Sequence, residues 1–290
     1  MTTNVSARLE RDAASARTVR RLGSGLPFLA PFILVALIFL VIPVAYGLWL
    51  SFTEQSLMGH GGWVGAANYA EALSDPTMWA TLGHTIMFTV MSTVPLVLIA
   101  LVYVGIPGQW FWRLAFFAPS LLPVAVVVQV WTWLFNSDVG FVNYWLERMG
   151  LDKVGWLTDV DVAMWSMVIL TVWWTVGFNF LLYLSSLQAI PDLLYEAAEV
   201  DGAGFWRKLW SVTLPQLRGT TVLVVTLQVI ASLKIFDQMF IAFSGGSGPE
   251  GSTRPILQYI YDTGFTNYRM GYASAMSYIF FIVIIVITVA

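Results

Sequence analysis

The stretch EAAEVDGAGFWRKLWSVTLP, residues 196–215, lies between two apolar segments that are each long enough to cross a bilayer. We call the polar region that contains it, residues 191–217, the island. A loop that only connects two spans needs a few turn residues, whereas the island carries two short helical patterns separated by glycine. This pattern predicts a docking element that contacts something outside the membrane.

Helix formers and turn residues alternate within the island. They predict a first helix over residues 193–200, a chain reversal at Gly202 and a second helix over residues 205–212. Proline disfavours the helical region for the residue before it. Residues 213–214, which precede Pro215, are therefore predicted to be extended.

Two readings of the island surface follow from its side chains alone. Small residues would let a partner approach the backbone, and carboxylates would pair with its basic residues. The small residues and the carboxylates are Ala197, Ala198, Gly202, Ala203, Glu196, Glu199 and Asp201. An amphipathic helix at the lipid headgroups is the alternative. It would use Phe205, Trp206, Arg207, Lys208, Leu209 and Trp210.

The composition decides the class of protein. Hydrophobic residues make up 58% of the chain, charged residues 11%, and the mean hydropathy is +0.74, which leaves too little polar surface to coat a soluble globule of 290 residues. A net charge of −3 without a basic stripe argues against nucleic-acid binding. With no cysteine and two separate histidines, thiol chemistry and a zinc site are not expected.

Apolar runs of about 20 residues predict an all-α, polytopic membrane protein with six transmembrane helices. The spans lie near residues 27–51, 84–106, 114–135, 162–189, 219–236 and 271–290. Spans two and three leave only a tight turn over residues 107–113. The last span reaches residue 290 without a basic flank, which is typical of a chain that lacks a short C-terminal tail.

The positions of lysine and arginine predict the orientation, because cytoplasmic flanks are rich in them. An N-terminus in the cytoplasm places most of them on that side: Arg8, Arg11, Arg17, Arg20, Arg21, Arg113, Arg207, Lys208 and Arg218. The opposite side then holds Arg148, Lys153, Arg254 and Arg269. The island therefore faces the cytoplasm, and residues 1–25 form a flexible cytoplasmic tail. A cleaved twin-arginine signal is disfavoured, because the following apolar run is too long for a signal core.

Polar and aromatic residues on spans four and five form a candidate substrate pathway. One helical face of span four carries four of them at helical spacing, and span five carries two more four residues apart. They are Thr171, Trp174, Thr175, Phe178, Gln228 and Ser232. Sugars suit such a lining, since hydroxyls need hydrogen-bond partners and C–H faces pack on aromatic rings. Ordinary contacts between helices are the alternative. Lys234 and Asp237 could form a gate, although a snorkelling lysine is favoured.

The island resembles the EAA loop of the membrane subunits of binding-protein-dependent ABC importers. The matching residues are Glu196, Ala197, Ala198, Asp201, Gly202, Ala203, Leu214 and Pro215. Residues 187–191, Phe236–Asp237 and residues 271–275 are similar to the carbohydrate branch, of the maltose and glycerol-phosphate permease type. The chain differs from that pattern in the short link between spans two and three and at residues 244–249.

The resemblance implies the type I importer permease fold over residues 26–290, in a bacterial plasma membrane. It also implies that the residues of the EAA match couple the spans to a cytoplasmic ATPase dimer, which would bind ATP and Mg²⁺, while this chain binds no cofactor. Further implied partners are a second homologous permease subunit, an extracytoplasmic substrate-binding protein and membrane lipid. Substrate contacts would come from spans four and five.

Other functions are tested against the same sequence. The chain has no phosphate-binding loop of the form GxxxxGK[ST], so ATP hydrolysis is expected on another subunit. The alternative of an ion-coupled or facilitative secondary carrier for a small polar solute is disfavoured, because the apolar cores of the six predicted spans contain no acidic residue. An intramembrane enzyme would need a catalytic dyad or metal ligands at depth. The sequence therefore predicts a non-enzymatic permease subunit for a sugar or related polyol.

Overall fold

The computed structural model describes residues 29–59, 61–102 and 114–289. The predicted tail over residues 1–25 and the predicted tight turn over residues 107–113 lie outside these ranges. Within the described residues the structure is built from helices, and strand-like pairing is limited to isolated bridges such as that between Thr53 and Trp63.

The helices are numbered in chain order. They are α1 Leu29–Leu50, α2 Ala67–Ser74, α3 Pro76–Val102, α4 Leu114–Leu121, α5 Val124–Leu134, α6 Phe141–Arg148, α7 Val160–Gln188, α8 Asp192–Val200, α9 Phe205–Leu233, α10 Asp237–Ala242, α11 Ile256–Tyr261 and α12 Met270–Val289. Helices α1, α3, α7, α9 and α12 are each long and apolar enough to cross a membrane. The pair α4 and α5 is apolar enough to form a sixth, bent span.

The third predicted span is bent rather than straight. Helices α4 and α5 meet at an angle of 109°. Pro123 has no N–H to donate and disfavours the helical region for Leu122, which adopts φ −78° and ψ 140°. The two prolines Pro119 and Pro123 thus place a break inside an otherwise apolar helix.

Helix α9 is longer than the predicted fifth span, because it begins inside the island at Phe205. The prediction that residues 213–214 are extended is wrong, since Thr213 and Leu214 have helical angles. A wide π-helical turn over Leu209–Thr213 precedes Pro215, and the N–H of Leu214 bonds the carbonyl of Leu209 five residues back. The wider turn shifts the carbonyls away from the proline ring, so the helix continues through it.

Helices α3, α7 and α9 form the centre of the molecule, and three buried clusters fill the space around them. Phe88, Met167 and Met239 belong to one cluster, which joins α3 and α7 to α10. A second cluster joins α3, α9, α11 and α12. The third, around Tyr183 and Leu217, lies at the end of the bundle that carries the island. We call this end the island end.

The opposite end is held together by a network that we call the clasp. Its centre is Asp75, whose carboxylate accepts hydrogen bonds from the hydroxyls of Tyr259 at 2.5 Å and Tyr272 at 2.8 Å. The guanidinium of Arg254 lies 4.9 Å from the ring centre of Tyr259, and that of Arg269 lies 4.4 Å from the ring centre of Tyr272. The clasp ties the start of α3 to α11 and α12.

Helix α1 lies at the edge of the molecule. None of its most apolar window is buried by the rest of the chain. Its inner contact is to α12, where the hydroxyl of Tyr278 donates to the carbonyl of Val44 beside Gly47. The rest of its apolar surface is open, as expected for a helix surrounded by lipid or by another membrane subunit.

Candidate functional site

A cleft of about 380 Å³ opens between the bent span and helices α7 and α9. Aromatic and aliphatic side chains form most of its wall, and hydroxyl and amide groups form the rest. The lining residues are Phe117, Ser120, Leu121, Trp174, Thr175, Phe178, Asn179, Leu227, Gln228 and Ala231. A pocket with an apolar wall and a few polar groups is typical of a small-molecule site.

The break between α4 and α5 contributes directly to this cleft. The indole Nε1 of Trp174 donates to the carbonyl of Leu122 at 3.3 Å. That carbonyl has lost its regular helical partner because the helix stops there. Trp174 therefore satisfies the free carbonyl at the break between α4 and α5. The same hydrogen bond fixes its ring at the edge of the cleft.

A chain of neutral hydrogen bonds runs from the cleft into the protein. Asn179 Nδ2 donates to Gln228 Oε1 at 3.1 Å, and Gln228 Nε2 donates to Ser232 Oγ at 3.0 Å. The hydroxyls of Ser232 and Ser92 are 3.0 Å apart. All four residues are buried. The chain links α7, α9 and α3, so the amide orientations at the cleft wall are set by three helices.

The structure brings together four of the six predicted pathway residues. Trp174, Thr175, Phe178 and Gln228 line the cleft. Thr171 and Ser232 do not, because each lies one helical turn away and is buried in a helix contact. The backbone carbonyl of Thr171 accepts a hydrogen bond from the hydroxyl of Thr175 at 2.7 Å.

Sequence reasoning missed the contribution of the bent span to the cleft. Phe117, Ser120 and Leu121 enter it because α4 stops beside α7. Pro119 and Pro123 are the sequence signal for this break, because proline and the residue before it disfavour a continuous helix. Leu227 and Ala231 of α9 were also missed, since ordinary aliphatic residues carry no pattern that separates a cleft wall from a lipid face.

A larger cleft of about 520 Å³ lies beside the clasp. Its lining includes Glu54, Asn68, Glu71 and Arg269 at the ends of the spans. It therefore lies beyond the apolar length of the helices. The smaller cleft lies between the spans and is the candidate for a route across the membrane.

The island forms a helix, a turn and a second helix. Helix α8 ends in a Schellman motif, in which the N–H of Ala203 bonds the carbonyl of Ala198 and the N–H of Gly202 bonds that of Glu199, both at 2.9 Å. Gly202 has φ +72°, which glycine adopts without strain. No atom of the described chain lies within 4 Å of a Cβ built on Gly202, so a side chain would have room there. Glycine is favoured at this position by its positive φ angle and not by crowding.

The predicted coupling residues lie on a projecting surface. Glu196, Ala197, Asp201, Gly202 and Pro215 are exposed, whereas Ala198, Ala203 and Leu214 are half-buried. Several large apolar side chains surround them with most of their surface open. These are Leu193, Val200, Phe205, Trp206 and Trp210, with exposed fractions of 71%, 89%, 68%, 69% and 68%.

Two contacts hold α8 against α9. The hydroxyls of Tyr195 and Thr213 are 3.0 Å apart, which joins α8 to the π-helical turn. Lys208 forms an ion pair with Glu199. Because α9 continues from the island to Leu233 and contributes Gln228 to the cleft wall, one helix connects the island with the cleft.

Lys234 and Asp237, suggested as a gate, do not form an ion pair with each other. Both residues are exposed, and the four ion pairs found among the described residues are Glu147–Lys153, Glu199–Lys208, Asp262–Arg254 and Glu71–Arg269. Residues 244–249, where the sequence differs from the carbohydrate branch, form a tight loop. Gln258 Nε2 holds this loop by donating to the carbonyls of Gly245 at 3.2 Å and Gly246 at 2.8 Å.

Comparison with known families gives one broad match. Residues 79–290 match the model described as the binding-protein-dependent transport system inner membrane component. This range includes the island and every residue that lines the cleft.

Relatives and solved structures agree with that match. The sulfoquinovosyl glycerol transport system permease protein SmoG of Agrobacterium fabrum is 32% identical, over 87% of this chain and 84% of its own. The sn-glycerol-3-phosphate transport system permease protein UgpA of the same organism is 31% identical, over 91% of this chain and 92% of its own. In a bacterial alginate ABC transporter bound to a periplasmic protein with alginate pentasaccharide, a chain superposes with TM-score 0.81 and 23% identity, covering 94% of both chains.

Proposed function

Because the chain belongs to the family of binding-protein-dependent transport system inner membrane components, we propose that it is the transmembrane subunit of an ATP-driven importer for a sugar or related polyol. The resemblance seen in the sequence and the predicted all-α, type I permease fold with six spans are confirmed. The chain is therefore a multi-pass inner-membrane protein with a transport role.

The proposed assembly contains a second homologous permease subunit, a cytoplasmic ATPase dimer that binds ATP and Mg²⁺, and an extracytoplasmic binding protein. The N-terminus and the island lie in the cytoplasm, and the clasp end faces the binding protein. Membrane lipid surrounds the spans. The family description and the solved alginate transporter, which carries a periplasmic protein, support the binding-protein part of this assembly.

One observation carries the proposal: helix α9 runs without interruption from the exposed island to the cleft. A partner that grips α8 and the start of α9 can move the whole helix, because α8 is tied to α9 by Tyr195–Thr213 and Glu199–Lys208. Motion of α9 would shift Gln228 and Leu227 at the cleft wall. Closure of the ATPase dimer would thereby open the cleft alternately toward each side of the membrane.

The EAA residues give the island its proposed partner surface. Glu196 and Asp201 offer carboxylates to basic groups of the ATPase, and Ala197 and Gly202 let its surface approach the backbone. Leu214 and Pro215 follow the π-helical turn, which is where the island passes into the span. Residues 191–217 thus act as the coupling element of the proposed importer.

The test is coupled transport by the complete complex in proteoliposomes. We expect Glu196→Lys to lower ATP-driven uptake by about tenfold or more while the complex still assembles, because it replaces a charge-assisted hydrogen bond by repulsion. Asp152→Lys is the matched control, since Asp152 is an exposed carboxylate far from the island in sequence and should leave uptake within about twofold. Full coupling in Glu196→Lys would count against the island as the coupling element.

A further inference from the structure

The described residues that line the cleft all have neutral side chains. Six of its lining residues are apolar, and the four polar ones, Ser120, Thr175, Asn179 and Gln228, carry hydroxyl or amide groups. Hydroxyls and amides both donate and accept hydrogen bonds, as sugar hydroxyls do. The wall therefore matches an uncharged polyhydroxylated molecule in polarity.

The polar groups of the wall are also held in a neutral network. Asn179 and Gln228 are 3% and 7% exposed, and their amides are oriented toward each other and toward Ser232. An ionic ligand beside this network would meet hydrogen-bonding groups but no opposite charge among the described lining residues, which is costly in surroundings of low dielectric constant. The network can exchange hydrogen bonds with a neutral hydroxyl without holding a charge.

From this wall we infer that the cargo passing this chain is an uncharged sugar or polyol, rather than a sugar acid or a phosphorylated polyol. The inference rests on the proposed transport function and narrows its substrate class. Kinship alone leaves the charge of the cargo open, since one relative is named for neutral arabinooligosaccharides, whereas others are named for sulfoquinovosyl glycerol and sn-glycerol-3-phosphate, which carry an acidic group. A charge at membrane depth needs a partner of opposite sign, whereas hydroxyl groups need only hydrogen bonds.

The two aromatic side chains that α7 contributes to the cleft also suit a neutral sugar. Phe178 is 51% exposed, and Trp174 is fixed by its bond to the carbonyl of Leu122. Flat rings of this kind pack against the C–H face of a sugar ring, which is a contact that does not use charge. The aromatic rings can pack against the C–H groups of a neutral sugar, and the amides can bond its hydroxyls.

The experiment places a charge in the cleft and compares it with a neutral side chain of similar length. The complete importer with its binding protein is reconstituted in proteoliposomes as wild type, Thr175→Lys and Thr175→Met. The cargo is first identified by thermal-shift assays of the binding protein with neutral oligosaccharides, uronic acid oligosaccharides and sn-glycerol 3-phosphate. ATP-driven uptake of the identified cargo is then measured in all three variants.

We expect a neutral cargo, with uptake lowered at least about thirtyfold by Thr175→Lys and no more than about threefold by Thr175→Met. A thirtyfold loss corresponds to about 2 kcal/mol. ATP-driven uptake of a uronate or a phosphate ester, or full uptake in Thr175→Lys, would overturn the inference and leave the proposed importer intact. Absence of ATP-driven uptake of any cargo in the wild type would instead remove the proposed function, and the inference with it.

Discussion

The two ends of the molecule differ in how many of their polar and charged side chains are hydrogen-bonded within the chain. At the clasp end, Asp75 accepts two tyrosine hydroxyls and Arg269 makes two hydrogen bonds to Glu71 at 2.8 and 2.6 Å. At the island end, Val200 and Trp206 are 89% and 69% exposed. Large apolar side chains are exposed at both ends, since Met58 and Trp63 beside the clasp are 79% and 66% exposed. The ends differ in their charged groups, because Arg254 and Arg269 are ion-paired at the clasp end, whereas Glu196 and Asp201 of the island are exposed and belong to none of the ion pairs among the described residues. This difference supports the proposal that a partner completes the island end, while the clasp holds the opposite end together within the chain.

Two glycines in the same backbone conformation separate a partner contact from backbone strain. Gly202 and Gly150 both end a helix in a Schellman motif, with φ +72° and +76°, and a Cβ built on either has no atom within 4 Å. Gly202 lies in the island and Gly150 follows α6, away from it. Gly202→Asp and Gly150→Asp therefore introduce the same backbone strain and the same charge at two places.

We expect Gly202→Asp to lower ATP-driven uptake by about tenfold or more, because the proposed coupling requires a partner surface to approach this backbone closely. Gly150→Asp should change uptake by less than about threefold. The measurement is the ratio of cargo transported to ATP hydrolysed in proteoliposomes. Equal losses in the two variants would show that strain alone, and not a partner contact, explains the effect.

At the clasp end, the expected effect is on stability. Asp75→Ala leaves the hydroxyls of Tyr259 and Tyr272 and the N–H of Thr77 without their acceptor, which should lower the free energy of unfolding by about 2 kcal/mol. The measurement is thermal unfolding of the purified chain in detergent, with Asp152→Ala as control. An unchanged midpoint for Asp75→Ala would mean that the clasp does not hold its end of the molecule together.

The clasp should also depend on pH. Burial alone would raise the pKa of Asp75, but hydrogen bonds from Tyr259, Tyr272 and two backbone N–H groups outweigh it, so the pKa lies below its usual value of 3.8. Burial, together with the hydrogen bond and charge of Asp75, raises the pKa of Tyr259 to about 12. The carboxylate is thus favoured by folding above pH 3.8, and its contribution is lost as the pH falls through the lower folded value.

For Tyr259 the sign is reversed. Its contribution is complete below its ordinary pKa of 10.0 and is lost as the pH rises through about 12. We expect wild type to exceed Asp75→Asn in thermal stability at neutral pH, with the difference shrinking at both extremes. A difference that stays constant between pH 3 and pH 7 would contradict this account of the acid side.

The smallest stability effect is expected on the island surface. Trp206→Gln removes an exposed ring that contacts Phe205 with a centroid distance of 5.5 Å, so the unfolding free energy should change by no more than about 0.5 kcal/mol. The same variant should weaken co-purification of the ATPase. A loss of stability as large as that of Asp75→Ala would mean that the island, too, is stabilised within the chain.

The sequence was sufficient where local patterns decide the structure. Apolar length located the spans, and Gly202 marked the turn between two helices. The continuous helix through Pro215 was not predictable from preferences of single residues, because a π-helical turn relieves the proline clash. The prolines of span three do indicate the break at Leu122. Mean hydropathy over a window of this length does not show it, because the residues on both sides of the break are apolar.

Hydrogen bonds between residues far apart in the chain also could not be predicted from the sequence. Asp75 meets Tyr259 and Tyr272 across 184 and 197 residues, and Asn179 meets Gln228 across 49 residues. Such pairs depend on how helices pack, and helical spacing only tells which residues share a face. The same spacing placed Thr171 with Trp174 and Thr175, although the packing of α7 buries Thr171 outside the cleft.

Co-purification from membranes in mild detergent shows whether other subunits bind the island end. The tagged full chain should bring an ATPase and a second multi-span protein with it, and Glu196→Lys should reduce the ATPase while keeping the second permease. A wild-type chain that purifies alone and still moves solute across liposomes without ATP would contradict the importer assignment.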